Sequence, residues 1–363
     1  MLILVLLAAG AGVSWYFSSK ALVPDHSGPD HSGLPTDATV KALLPGEVVL
    51  SRSEYTLRPE VYGLDWNAGH AILEGVLSSN AHTVTRRLSA VHGRLAPGMK
   101  VALDASVYAG NPREALGLPF ANVNVPDELG PMPAWLIPGR THTWAIFVHG
   151  INASRNVGLR IAPTLHDDGL PTLLITYRED IGAPASPDGL HHMGLTEWHD
   201  LQAAARYALS HGARRLVLLG YSMGGSIVTQ FMEHSSLAHH VAGLVLDAPA
   251  LDWKAILSFN ATEMSLPSFA ADPVEWMIDA RIDPDWGSLD ALDHPGDFHL
   301  PILLFHGTED KLVPISTSDQ FASELRRWVT YYRVPHAGHT ESWNVDPGRY
   351  DQRLTTFLAR NGA

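Results

Sequence analysis

The sequence predicts an α/β protein built on a doubly wound, mostly parallel sheet, with a smaller β-rich region ahead of it. Three observations carry this prediction. After Arg140, short apolar runs alternate with helical stretches. These runs are nearly unbroken, the pattern of strands covered by helices on both faces. Between about residues 46 and 130, by contrast, β-like runs are separated by turn residues, with no helical stripe between them.

The chain of 363 residues is 45% apolar and 17% charged, a balance that permits a sizeable core. Its net charge of −13 and the lack of any basic run argue against a nucleic-acid partner. Cysteine is absent, which excludes disulfides and thiolate metal sites. The 20 histidines are scattered, and no ligand pair at helical spacing stands out. The doublets His191-His192 and His239-His240 read as surface or loop residues, since sequence neighbours do not share a helix face. No metal and no organic cofactor is expected.

Taken in order, Leu2 to Phe17 are almost all apolar, with Ser14 the one clearly polar side chain. The run approaches the length of about 20 residues that spans a bilayer. Trp15, Tyr16 and Phe17 sit where an interfacial aromatic belt would lie. The expectation is an N-terminal transmembrane helix over residues 1–22, a single-pass anchor holding the protein at the cell membrane. Secretion after signal cleavage and a helix buried against the domain are the alternatives. The Pro-, Gly- and Asp-rich stretch 23–45 reads as a linker.

Residues 46–130 form the β-rich region, with runs at Glu47–Ser51, Ala71–Leu77, Thr83–Leu88 and Lys100–Tyr108. The stretch from about Ala121 to Ile137 has the pattern of an antiparallel edge hairpin for the sheet that follows. Residues 131–363 are expected to form the larger, α/β domain. Its strands are expected at Thr143–Val148, Thr172–Tyr177, Arg215–Leu219, Val241–Leu246, Pro301–Phe305 and Val329–Val334. Helices are expected at Glu197–Ser210, Met223–Glu233, Ser316–Trp328 and Arg349–Leu358. Residues 253–300 are long for a simple crossover and read as a small helical cap over a substrate pocket, with a long crossover helix and a solvated loop as the alternative.

Gly220-Tyr221-Ser222-Met223-Gly224 follows a strand run and opens a helix. In that context GxSxG is a sharp turn that presents a nucleophilic serine, with glycines where a Cβ would clash. A serine hydroxyl needs a base, and the acid and base follow it in the order aspartate, histidine. Asp310 lies in the loop after the strand ending at Phe305, and His339 in the loop after the strand ending at Val334. Asp247 and His336 are the weaker alternatives for acid and base, and Glu309 should point elsewhere. The oxyanion donors are expected to be the backbone N–H groups of Met223 and of Ile151, which follows His149-Gly150. His149 itself reads as a structural loop residue.

These motifs, with Leu246-Asp-Ala-Pro249, His306-Gly-Thr-Glu-Asp310, Val313-Pro314 and Gly338-His339, make the chain resemble the α/β-hydrolase serine esterases, lipases and peptidases. It is similar in particular to bacterial membrane-associated hydrolases with an apolar N-terminal segment. The resemblance implies cofactor-free cleavage of a small-molecule ester or amide. It leaves residues 46–130 unexplained. Tyr177-Arg-Glu-Asp180 and Gly194-Leu-Thr-Glu-Trp198 also belong to it and read as structural loops. A carboxylic ester hydrolase is the first expectation. A prolyl-oligopeptidase-type serine peptidase is the second, although the β-rich region lacks the repeated blades of a propeller. A non-catalytic binding protein on the same fold is the third.

Overall fold

The computed structural model describes residues 2–25, 38–67 and 69–361, with the side chains of the opening helix described from Ala11 onward. Its two β structures are separate. Strands β1 (Ala38–Leu44), β2 (Glu47–Ser51), β3 (Tyr62–Trp66), β4 (Gly69–Ser79), β5 (Thr83–His92) and β6 (Lys100–Asp104) close into an antiparallel barrel in the order β1-β2-β5-β4-β3-β6. Alternation turns Val48 and Leu50 of β2, Leu64 of β3, and Ala71 and Leu73 of β4 into one buried cluster. Closure removes the edges that a small free sheet would expose. The second part of the expected linker is thus β1, because Val40 is needed in that core. Its central part, residues 26–37, lies outside the described residues.

The second sheet has eight strands in the order β14-β13-β12-β11-β9-β10-β8-β7. Its edge hairpin is β7 (Ala121–Pro126) and β8 (Pro131–Ile137), antiparallel to each other, with β8 antiparallel to β10. The rest is parallel: β9 (Thr143–Val148), β10 (Thr172–Ile175), β11 (Arg215–Tyr221), β12 (Val241–Asp247), β13 (Ile302–Gly307) and β14 (Val329–Val334). Every residue of β9, β10 and β13 is buried, which is why those runs are continuous rather than alternating.

Side-chain alternation divides the core between the two faces. From β9, Trp144, Ile146 and Val148 join the cluster beneath α4 (Trp198–Ser210), α5 (Met223–His234) and α8 (Ile315–Glu324). Ala145 and Phe147 join the opposite cluster, under α3 (Ala162–Asp167) and α10 (Pro347–Arg360). The short helices α2 (Pro112–Leu116) and α9 (Ser342–Val345) lie at the barrel junction and after the last strand. The excursion between β12 and β13 folds as α6 (Trp253–Glu263) and α7 (Asp272–Ile282), the helical cap.

The expectation for the N-terminus is overturned. Among the described residues no helix is long and apolar enough to cross a membrane, so the single-pass anchor, and with it the membrane as a partner, is not supported. The run does form a helix, α1 (Leu2–Leu22), but its C-terminal half docks on the cap. The Arg281 guanidinium of α7 donates to Ser18 Oγ at 3.0 Å and Ser19 Oγ at 2.9 Å, and stacks over the Trp15 ring at 4.4 Å. Leu22 is fully buried in the core on one face of the eight-stranded sheet, and its carbonyl accepts the His191 N–H at 2.8 Å. Apolar composition alone does not distinguish a lipid-facing helix from one packed on protein, and here the partner is α7.

Candidate active site

The site lies at the carboxyl ends of β9, β11, β13 and β14, where loops of a parallel sheet converge. The turn from β11 into α5 holds Ser222 at φ 55°, ψ −122°, a conformation that side chains rarely adopt. The turn is tight because glycines flank it. A Cβ at Gly220 would strike the Gly224 carbonyl oxygen, and one at Gly224 the Val148 carbonyl oxygen. The Ser222 N–H is tied to the Asp247 carbonyl at 3.1 Å.

The structure brings Ser222, His339 and Asp310 together. Ser222 Oγ lies 2.8 Å from His339 Nε2, and His339 Nδ1 lies 2.8 Å from Asp310 Oδ2. Nδ1–H can only donate to the carboxylate, which leaves Nε2 to accept the serine hydroxyl. The other Asp310 oxygen accepts the N–H groups of Leu312 at 2.8 Å and Val313 at 2.9 Å. Burial alone would raise the Asp310 pKa, but the His339 charge and the hydrogen bonds from His306 and His339 hold it well below the usual carboxylate range. His339 moves the other way. Burial would lower its pKa, yet Asp310 opposite lifts it above the ordinary 6.5 of a histidine.

The competing residues are placed elsewhere. Asp247 is wholly buried under the turn, one oxygen accepting Ser342 Oγ–H at 2.8 Å, and burial pushes it up to about 6. His336 is exposed and pairs with Glu309 at 2.9 Å, which takes both out of the cluster. His149 is buried, stacked on Tyr177 at 4.5 Å and bonded to Asp180 at 2.9 Å, which fits a structural role. The Tyr177–Asp180 and Gly194–Trp198 stretches knit loops together. Arg178 makes a forked pair with Asp200, and Glu197 accepts the His192 N–H at 2.7 Å and the Gly194 N–H at 2.9 Å. His191 is a loop residue, as expected of a surface or loop histidine, but it is buried, with Nε2–H donating to Asn152 Oδ1 at 3.3 Å.

Met223 is the first residue of α5, where a helix N–H has no partner within the helix. Ile151 lines the same cavity as Ser222, and Gly150 beside it is obligatory, since a Cβ there would come within 2.9 Å of the Ser222 Cβ. The Gly150 carbonyl is drawn away by the Tyr177 hydroxyl at 2.8 Å.

Several site residues escape a sequence reading. His306 is fully buried, with Nδ1 accepting Ser318 Oγ–H at 2.7 Å and Nε2 3.3 Å from Asp310 Oδ2. Glu341 clasps the turn that carries His339. It accepts the Gly338 N–H at 3.2 Å and the Tyr62 hydroxyl at 3.0 Å, and pairs with Arg58. Arg160 adds bonds to the Thr340 carbonyl at 2.9 Å and to Asn344 Oδ1 at 2.6 Å. Arg58 and Tyr62 belong to the barrel region, so that unit grips the histidine turn directly. The only signal in the sequence was Glu341 itself, a carboxylate two residues after His339, with no mark of its distant partners.

A doubly wound sheet with a serine at a tight strand-to-helix turn is the α/β-hydrolase fold, and the chain has that fold. Residues 186–361 match the model of the prolyl oligopeptidase family, and residues 39–104, the barrel, match one described as a domain of unknown function (DUF8805). An uncharacterized protein of Mycobacterium tuberculosis is 24% identical over 218 residues, 58% of this chain and 69% of that one. The uncharacterized protein YfhR of Salmonella typhimurium is 24% identical over 264 residues, 68% of this chain and 81% of that one. Among solved structures, an esterase of Pyrococcus furiosus superposes with a TM-score of 0.57 at 19% identity, covering 70% of this chain and 96% of that one. The carboxylesterase EstE1, cloned from a metagenomic library, gives 0.51 at 16% identity, covering 68% and 90%. At these identities the likeness is one of fold.

Proposed function

We propose that the protein is a serine hydrolase that cleaves carboxylic esters through an acyl-enzyme intermediate. Ser222 is the nucleophile, His339 the general base and Asp310 the acid that orients it. The observation that carries this reading is the unbroken chain from Ser222 Oγ through the His339 ring to Asp310, at 2.8 Å per link, opening into a cavity. His339 Nε2 takes the Ser222 proton as Oγ attacks the ester carbonyl carbon. The carbonyl oxygen becomes an oxyanion, met by the N–H groups of Met223 and Ile151. The imidazolium returns its proton to the leaving alkoxide, the C–O bond breaks, and an alcohol departs. Water, deprotonated by the same nitrogen, then attacks the acyl-Ser222 carbonyl and releases the acid.

Asp310→Asn should lower kcat about 10⁴-fold by disturbing the His339 tautomer. Asp247→Asn, which lacks contact with the imidazole, should cost less than about tenfold. The reverse ranking in steady-state assays would move the acid to Asp247. The pH dependence follows from the raised His339 pKa. The base must be neutral, so kcat/KM should climb with pH through one ionisation lying above 6.5 and then level. A profile flat down through pH 6 would remove His339 from the role.

A peptidase is the second reading, favoured by the prolyl oligopeptidase match over residues 186–361. The closed six-stranded barrel in place of a bladed propeller weighs against it. Aminoacyl p-nitroanilides assayed beside p-nitrophenyl esters decide the matter. Faster turnover of the anilides by the Ser222 enzyme would make it a peptidase.

A further inference from the structure

The cavity over Ser222 has a volume of about 1640 Å³, well beyond the 300–1000 Å³ usual for a small-ligand pocket. One of its walls belongs to neither the sheet nor the cap. Val13, Phe17 and Ala21 of α1 line it at the i, i+4, i+8 spacing that puts side chains on one helix face. The cap contributes Leu257, Ala261 and Val274 to the same cavity. Another part of α1 holds it in place, through Ser18, Ser19 and Trp15 on Arg281. Its exit is tied to the loop after Ile151, where Asn152 Oδ1 accepts the Asp25 N–H at 2.8 Å. The helix is therefore fixed on both sides of the face it turns to the cavity, and that face is apolar apart from Ser14 and Lys20.

We propose that α1 is a specificity element: with the cap helices it forms an elongated apolar channel that takes the acyl chain of a medium- or long-chain ester. This rests on the ester-hydrolase reading and extends it to a substrate class. Polar or short-chain acids would leave such a channel wet and gain nothing from it. Each methylene seated in it should raise kcat/KM by about fourfold, the free energy of burying one CH₂.

The test is a series of p-nitrophenyl esters from acetate to palmitate, assayed on the full chain. Specific activity towards octanoate should exceed that towards acetate by at least about tenfold. Phe17→Asp, which charges the α1 wall, should reduce the octanoate-to-acetate ratio of kcat/KM by about tenfold, mainly through KM. Phe17→Leu should retain the ratio. Leu257→Trp, which narrows the channel from the cap side and does not depend on α1 docking, should move the preferred chain length downward. Acetate preferred over octanoate, or an unaltered ratio in both Phe17→Asp and Leu257→Trp, overturns the channel while leaving the ester-hydrolase reading standing. Failure to hydrolyse any ester, with Ser222 unlabelled by a fluorophosphonate, defeats that reading and the channel with it.

Discussion

Ser222→Ala is expected to abolish ester hydrolysis, a loss in kcat on the order of a million-fold, with thermal unfolding nearly unchanged. The size follows from how the three side chains work. An alanine cannot form the acyl bond, and His339, deprived of the proton it accepts, has nothing to activate except water. Structure should survive, because the turn is set by backbone bonds and by the crowding at Gly220 and Gly224 rather than by the hydroxyl. Such groups act as a unit, so Ser222→Ala combined with His339→Ala should be scarcely slower than either alone. A fluorophosphonate probe followed by peptide mapping reads the same claim covalently. Modification of a different serine, or residual activity above about one percent of wild type, would sink the assignment.

Glu341→Ala should have a large effect on both stability and turnover although Glu341 lies outside the proposed triad. The Glu341 side chain is nearly buried, at 6% exposure, and three donors converge on it: the Gly338 N–H, the Tyr62 hydroxyl and the Arg58 guanidinium. Alanine removes the acceptor from all three, and Arg58 is left with Glu60, 3.6 Å away, and the face of the Tyr62 ring. Removing one partner of a largely buried ion pair costs about 3–5 kcal/mol, because the charge left behind is desolvated without compensation. The same change frees the turn from Gly338 to Thr340, where Thr340 sits at a positive φ of 53°. The imidazole should then lose its aim, and kcat should fall with little change in KM. Urea unfolding and Michaelis parameters measured side by side test this. An unshifted midpoint with unaltered kcat would mean that the clasp is ornamental. Glu341→Gln keeps an acceptor oxygen and should fall between the two.

What the sequence reveals and what it hides divide along the range of the forces involved. Strands β9, β11 and β13 were legible because burial on both faces writes itself into consecutive residues, as in Thr143–Val148. The serine turn was legible because its crowding demands glycine at two positions. The barrel was visible only as a succession of strands. Its closure depends on β1 pairing with β6, and no local pattern encodes a partnership that distant. The clasp at Glu341 was hidden for the same reason, with Arg58 lying 283 residues away. The opening helix was misread on a physical ambiguity. A run of apolar side chains states a preference to leave water and does not state for what. The Ser18 and Ser19 hydroxyls, which meet Arg281 here, were the weak sign of a protein partner.

The barrel's hold on the histidine turn has a consequence for the order of events on the ribosome. Domains of a nascent chain tend to fold as units, the N-terminal one first. The barrel has its own sealed core, so it can be complete while Glu341 is still to be synthesised. During that interval Arg58 and the Tyr62 hydroxyl lack the carboxylate they will bond. The last stretch of the chain supplies the imidazole, its clasp and α10, which covers one face of the sheet. The proposed site can therefore be assembled only after the segment carrying His339 and Glu341 has docked against Arg58 and Tyr62.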